Sequence, residues 1–242
     1  YLLRQRYADE RRCLIGDAAL TSPVPLGDPS PPYDRGCPAG SASGGADAGP
    51  DGSTNHLTVV DRWGNVVSYT NTIEQIGGSA IAVPGWGFLL NNELTDFDPA
   101  PIHPPAPDPN LPAGGKRPRS SMAPTILERD GRPWLAVGSP GGASIITTVL
   151  QILVDRIDFG MTLPQAIAAP RASQRDSATT EAEPAFVAAY GDQLESRFGQ
   201  AFGPIDAIGN ATGIEIRRDG TLVAAAEPVR RGGGDAEVLH RR

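Results

Sequence analysis

The chain of 242 residues has only two cysteines, Cys13 and Cys37, too few for a disulfide framework and without the spacing of a zinc site. Both precede residue 54, and the sequence is equally consistent with one bridge between them or two free thiols. Nothing approaches the ~18 consecutive apolar residues of a membrane span. The longest apolar-rich stretch, 145–157, is interrupted by Thr147, Thr148, Gln151, Asp155 and Arg156. An excess of positive charge is missing too. The formal net charge of -7 argues against a general nucleic-acid-binding face, while leaving room for a local basic pocket. Nor is there an initiating Met. The chain opens at Tyr1, as a fragment or processed product does, so the lack of a targeting segment says nothing about a parent protein. What is present, 39% hydrophobic and 20% charged residues, is enough for one large or two small domains with a real core.

Along the chain, residues 1–20 read as a helix, with Leu2, Leu3, Tyr7, Leu14 and Ile15 toward one side and Pro23 and Pro25 as terminators. Residues 21–53 are dominated by Pro, Gly, Ser, Ala and Asp. Such a segment buries too little apolar surface to offset its ordering entropy, and it reads as a linker. Strand patterning begins at Asn55 and resumes at residues 66–72, with Asp61-Arg62-Trp63-Gly64-Asn65 as the hairpin turn between. Gly87-Phe88-Leu89-Leu90 reads as a short strand, and 98–115, with seven prolines, as an exposed loop.

Two further hairpins flank Arg129-Asp130-Gly131-Arg132 and Arg217-Arg218-Asp219-Gly220. Between them lies an amphipathic helix at 144–157, whose stripe is Ile145, Val149, Ile152 and Leu153. A second helix starts after Thr162 as N-cap, with Pro164 in its first turn. A third is expected over 192–198, and the polar, glycine-rich tail from Arg230 reads as frayed. Hairpins in two groups around a helix pair predict an α+β layered sandwich rather than a doubly wound parallel sheet.

Thr54 stands where the linker meets the first core strand. A hydroxyl residue there suits a chain that cuts itself between Ser53 and Thr54, because the freed α-amino group can act as base for the same hydroxyl. It also suits an ordinary strand start, since β-branched threonine is favoured in strands. Thr72 is likewise a good strand residue. Gly138-Ser139-Pro140-Gly141-Gly142 forms a tight turn opening a helix, with adjacent N–H groups able to face a developing oxyanion or merely to begin the helix. A phosphate loop is disfavoured because its Lys-Ser/Thr is missing. Glu93 and Asp96, three apart, read as an acidic subsite or two surface acids. Ser120-Ser121 reads as a donor pair or a plain turn.

Taken in register, several segments resemble the gamma-glutamyltransferase family: Ser53-Thr54-Asn55-His56, Val59-Val60-Asp61-Arg62-Trp63-Gly64-Asn65, Leu89-Leu90-Asn91-Asn92-Glu93-Leu94-Thr95-Asp96-Phe97, Arg117-Pro118-Arg119-Ser120-Ser121-Met122-Ala123-Pro124-Thr125 and Gly138-Ser139-Pro140-Gly141-Gly142. Asp158-Phe159-Gly160-Met161 and Ala168-Ala169-Pro170-Arg171 continue the match. It covers 54–242 as a catalytic small subunit, while 1–53 resembles the C-terminal tail of a large subunit.

The resemblance implies a four-layer αββα sandwich of the N-terminal nucleophile hydrolase type, autocleaved between Ser53 and Thr54. It implies no metal or organic cofactor, a small-molecule γ-glutamyl substrate such as glutathione, and no nucleic-acid partner. The remainder of the large subunit is absent from this chain. By resemblance alone the setting is periplasmic or extracellular. The same resemblance makes Thr54 the nucleophile, Thr72 its hydrogen-bond partner, and Gly141 and Gly142 the oxyanion donors. Glu93 and Asp96 are then holders of the substrate's α-ammonium group and Ser120 and Ser121 of its α-carboxylate, with His56 structural.

Glu74 departs from the asparagine of better-known members. A carboxylate there repels the substrate's own or must accept a donor instead, which keeps open a cephalosporin-acylase-like amidase taking a glutaryl group. An inactive, unprocessed fragment is the third reading.

Overall fold

The computed structural model describes residues 3–22, 24, 27–28, 30–33, 54–101 and 108–239. Ser53, Cys37 and most of the expected linker lie outside the described residues. In chain order the elements are α1 (Gln5–Arg12), β1 (Thr54–Val60), β2 (Val66–Thr72), β3 (Thr125–Arg129), β4 (Arg132–Gly138), α2 (Ile145–Ile157), α3 (Leu163–Ala168), β5 (Ala172–Ser173), β6 (Thr180–Ala182), α4 (Pro184–Phe198), β7 (Phe202–Pro204), β8 (Thr212–Ile216) and β9 (Leu222–Ala226). The fold is α+β.

β1 and β2 form an antiparallel hairpin whose register sets Thr54 opposite Thr72 and Val60 opposite Val66. Its turn is closed by the Asp61 carboxylate, which accepts from the N–H groups of Trp63 and Asn65, each at 2.9 Å, and from Asn65 Nδ2 at 2.7 Å. A second, fully antiparallel sheet has the order β3-β4-β8-β9.

Strand β4 is buried on both faces, from Trp134 to Val137. Leu135 and Val137 pack with Ile145, Val149 and Ile152 of α2 and with Leu163, Ala166 and Ile167 of α3. The opposite direction at Gly138 is filled by the His56 ring, so the hairpin covers the other face. Ser68 Oγ donates to the Val137 carbonyl at 3.2 Å and fastens the two sheets. The order is therefore helices, four-stranded sheet, hairpin. Leu57, Val59, Val67 and Tyr69 form the hairpin's outer face and are exposed.

α2 and the capped start of α3 fall where periodicity and capping predict. Thr162 Oγ1 accepts from Gln165 N and Gln165 answers with its own side chain, a complete capping box. Elsewhere the outcome differs from the sequence reading. α1 is shorter than the expected 1–20 and none of its residues is buried, so no tertiary packing extends a helix of this length. The segment at Gly87-Phe88-Leu89-Leu90 forms no continuous strand: it folds against residues 79–83 through an isolated bridge between Ala82 and Leu89 and backbone bonds such as Val83 N to Phe88 O and Leu90 N to Ile81 O, each at 2.9 Å. α4 starts at Pro184, well before residue 192, because Pro at N1 favours an early start and Gly191 is its only buried residue. The small sheet β5-β6-β7, with β6 and β7 parallel, had no signal in strands this short.

The tail at Arg230 is a clear correction. Its start, as far as Gly234, is anchored rather than frayed, while 235–239 are exposed and without regular structure. The Arg230 guanidinium donates to both oxygens of Glu183, at 2.5 and 2.6 Å, and to both of Glu227, at 2.9 and 3.0 Å. Glu227 also accepts from Arg171 Nη2 at 3.0 Å, and Arg171 donates further to the carbonyls of Ile167 and, at 2.7 Å, Ile208. All four side chains are buried, Glu227 completely. Hydrogen bonds from Arg230 and from the N–H groups of Arg171 and Ile208 hold the Glu183 carboxyl below the usual carboxylate range against the opposing effect of burial.

Two arginines sharing two glutamates tie the end of α3, the start of α4 and the segment after β9 into one knot. Because burial makes an unpaired guanidinium costly, Glu227→Leu should destabilise the protein by roughly 3–5 kcal/mol in urea denaturation. An unchanged midpoint would show that the knot carries no net stability.

Candidate active site

At the open end of the hairpin, Thr54 and Thr72 face one another across the ladder, and their Oγ1 atoms are 2.8 Å apart. Thr72 Oγ1 also accepts the Glu74 N–H at 2.9 Å, which orients that hydroxyl toward Thr54. Two residues along β1 on the same face, the His56 ring packs beneath Gly138. A Cβ at 138 would lie 2.2 Å from His56 Cε1, so only glycine fits. That contact sets the start of β1 beside the end of β4, where the chain turns through Ser139-Pro140-Gly141-Gly142 into α2.

Gly141 has φ 145° and Gly142 φ 54°, backbone that other residues rarely adopt. Gly141 O accepts from Ser144 N and Ser144 Oγ, at 3.1 and 2.7 Å. Among the described residues neither Gly141 N–H nor Gly142 N–H donates to another group. Behind the turn, Asn210 N donates to Ser139 Oγ at 3.0 Å, and Gly209 lies against Gly141. The Ile208–Asn210 stretch is in turn held by the buried knot, through Arg171 to Ile208 O and Ile208 N to Glu183.

Beyond β2, Glu74 sits in left-handed backbone with φ 73°. Its carboxylate accepts from Asn92 Nδ2 at 2.5 Å and from Thr95 Oγ1 at 3.2 Å. Asn92 Oδ1 accepts from Gln75 N at 3.0 Å, locking the loop to the strand. Asn92 and Thr95 were within the family-like stretch, but no pattern in the sequence marked them as partners of Glu74.

Glu93 and Asp96 occupy one 3-10 turn, Glu93–Asp96. Burial raises the Glu93 carboxyl pKa, and Asp96 and Glu74 raise it further. Burial and then Glu74 raise that of Asp96, with Arg119 opposing. The three acids thus share one field. Such an array is eased by a bound cation.

Asn110 donates to Asp96 O at 2.7 Å and accepts from Arg119 N at 2.9 Å, bringing the segment that continues into Ser120 and Ser121 alongside this turn. Ser120 Oγ accepts from Met122 N at 3.4 Å; Ser121 is half-buried. Among the described residues no group of His, Cys, Asp and Glu is arranged to hold a metal ion, and no helix is long and apolar enough to cross a membrane.

A core strand that begins on a hydroxyl residue, paired sheets behind it and a glycine turn beside it define the N-terminal nucleophile hydrolase class. Comparison narrows this. The family model for gamma-glutamyltranspeptidase matches residues 1–237, and the chain belongs to that family. It is 40% identical over 245 residues to the glutathione hydrolase proenzyme of Bacillus subtilis, covering all of this chain and 40% of that protein. The chain therefore spans about two fifths of the length of that relative. A gamma-glutamyltranspeptidase from Pseudomonas nitroreducens, solved in complex with L-DON, superposes with a TM-score of 0.67 at 32% identity, over 76% of this chain and 99% of that one. A cephalosporin acylase from Bacillus halodurans superposes with a TM-score of 0.77 at 26% identity, over 99% of this chain and 39% of that one.

His56 offers a direct test of the packing behind Thr54. Its ring meets Thr70 Oγ1 at 2.8 Å and Thr58 Oγ1 at 3.2 Å, and burial lowers its pKa from 6.5 to about 4. The folded protein therefore favours the neutral ring. Its stability contribution is intact above pH 6.5 and is lost as pH falls toward 4, by up to about 3 kcal/mol. NMR titration should find His56 still neutral at pH 5.5, and a midpoint near 6.5 would mean that the ring is hydrated.

Proposed function

We propose that the protein to which this chain belongs is a gamma-glutamyl acyltransferase that cleaves itself between Ser53 and Thr54 and then hydrolyses or transpeptidates γ-glutamyl amides through Thr54. The observation that carries this reading is the 2.8 Å contact between Thr54 and Thr72 beside two glycine N–H groups without partners among the described residues. After cleavage, residues 54–242 form the catalytic subunit and 1–53 remain with the large subunit. The remainder of the large subunit covers the exposed apolar face of the hairpin and completes a four-layer αββα sandwich.

In the reaction the freed α-amine of Thr54 takes the proton from Oγ1, which attacks the γ-amide carbonyl, with Thr72 holding the hydroxyl in line. The N–H groups of Gly141 and Gly142 receive the oxyanion, where preorganised donors act on charge that develops only in the transition state. Collapse expels the amine, which leaves with the proton, and the acyl group stays on Oγ1. Water or an acceptor amine then attacks the ester and restores the threonine.

Glu93 and Asp96 hold the substrate's α-ammonium group, and Ser120 and Ser121 donate to its α-carboxylate. Glu74, whose carboxylate accepts from Asn92 and Thr95, adds a third negative charge to this subsite, close to where the substrate's α-carboxylate must sit. The likeness to a cephalosporin acylase supports a second reading, removal of a glutaryl-type acyl group. That group carries no ammonium and would leave Glu93 and Asp96 without a partner.

Thr54→Ala in the complete precursor should stay one chain by mass spectrometry and be inactive. Two-fragment processing of that variant would sink the nucleophile assignment. Gly142→Pro, once shown to fold by circular dichroism, should lose ~10²–10³-fold in kcat, since it deletes one oxyanion donor.

The substrate readings separate with paired anilides. Wild type should prefer the γ-glutamyl over the glutaryl compound, and Glu74→Asn should lower KM for the γ-glutamyl one by relieving repulsion of its α-carboxylate, leaving kcat nearly unchanged. Preference for the glutaryl compound would instead establish the acylase reading.

A further inference from the structure

The three hairpin turns, 61–65, 129–132 and 217–220, all lie at the end of the sandwich opposite Thr54. β1 alone has seven residues, which places this end about 20 Å from the candidate active site. There the turns enclose a cavity of about 970 Å³ lined by Arg129, Arg132, Arg217 and Arg218, with Trp63 and Trp134 among its walls. The cavity also contains the carboxylates of Asp130 and Glu215, and the balance between the two signs decides what it can take.

Glu215 is already committed. Its oxygens accept from Arg156 Nη2 at 2.5 Å and Arg156 Nε at 3.1 Å, and from Trp134 Nε1 at 3.4 Å. Among the described residues Asp130 reaches only Arg218, at 3.8 Å, with both side chains in solvent, a contact of little strength. Arg129 is held by stacking: its guanidinium carbon lies 3.6 Å from the centroid of the Trp134 ring. Stacking fixes the plane and leaves the N–H edges free to bind. Among the described residues the side chains of Arg129, Arg132 and Arg217 make no hydrogen bond or ion pair. Glu215 and Asp219 feel the charge of Arg217 without forming an ion pair with it, so the cavity of this chain of net charge -7 keeps a local excess of arginine, with Arg129 and Arg132 its unpaired members among the described residues. At the rim, Arg62 stacks on the exposed Trp63 at 4.0 Å and adds to the positive field.

We propose that this cavity binds a multivalent oxyanion, a small ligand carrying several carboxylate or phosphate groups, at a site separate from Thr54. A single charge would satisfy one guanidinium and leave the others facing each other, whereas a ligand with several oxyanions engages them together. The planar fork of arginine matches both carboxylate and phosphate. A concave site walled by three turns and two indoles suits a compact ligand better than a duplex or a flat membrane. This proposal does not rest on the acyl-transfer reading.

The test uses the complete processed protein and titration calorimetry with citrate and, separately, inorganic tripolyphosphate at two ionic strengths. One site per chain is expected for at least one of the two, weakening as salt rises. Arg132→Ala combined with Arg217→Ala should lower that affinity on the order of 100-fold, about tenfold for each charged contact removed. Melting temperature and basal γ-glutamyl anilide turnover should be unchanged. Arg6→Ala with Arg12→Ala in α1 removes the same charge elsewhere and should leave binding intact.

Binding of citrate alone assigns a polycarboxylate, tripolyphosphate alone a polyphosphate, and both a site for either oxyanion. The proposal is overturned if neither anion binds wild type, if the cavity variant binds as tightly as wild type, or if the α1 variant loses as much as the cavity variant. Competition between the bound anion and a γ-glutamyl substrate would also overturn it, by placing the anion at Thr54. Because binding is read as heat, a failure of turnover leaves the result interpretable and tells the two proposals apart.

Discussion

The contact between the His56 ring and the bare backbone of Gly138 sets the positions of everything at the reactive end. A two-stranded hairpin is marginal alone and must stack on another layer to persist. Here it stacks through an imidazole that takes the space a side chain would fill at 138. The ring is neutral because burial disfavours its charged form, and Thr70 and Thr58 meet its two nitrogens. One flat, uncharged ring therefore fixes the spacing of two sheets. It also fixes the distance between the first residue of β1 and the turn that follows β4.

Behind that turn the buried knot of Arg171, Arg230, Glu183 and Glu227 supplies rigidity that apolar packing alone would not direct. Its hydrogen bonds reach the carbonyls of Ile167, Ala169 and Ile208 and the N–H of Ile208. The stretch leading to Gly209 and Asn210 is thereby fixed against Ser139 and Gly141. Buried ion pairs give little net stability relative to an apolar core, but their geometry is specific. The gain here is one position for two glycine N–H groups in backbone that would otherwise sample many. On the other side of Thr72 the arrangement is reversed, with three carboxylates gathered and left short of cations. One part of the reactive end is densely hydrogen-bonded; the other is electrostatically incomplete and so suited to a charged ligand.

The hairpins, α2 and the start of α3 were legible in the sequence because their signals are local: alternation, Asp-Gly turns, a threonine N-cap followed by proline and a 3.6-residue stripe. Thr54, Thr72, Glu93, Asp96, Ser120, Ser121, Gly141 and Gly142 were legible as candidates because they sit in ordered motifs. The short sheet β5-β6-β7 was not legible, since two- and three-residue strands carry no period. Nor was the anchoring of Arg230, because a polar, glycine-rich tail has the composition of a frayed end whether or not buried acids await it.

By itself, then, the sequence determined the types of the longer elements, the α+β class, the turn chemistry and the residue kinds available for acyl transfer, all set within a few neighbours along the chain. Tertiary structure alone decided which of those residues meet. It set Thr54 against Thr72, placed His56 under Gly138, gave the Glu74 carboxylate to Asn92 and Thr95, and brought arginines from separate turns around one cavity. These outcomes depend on sheet register and on charges brought together from distant positions. Neither is encoded in any window short enough to read along the chain.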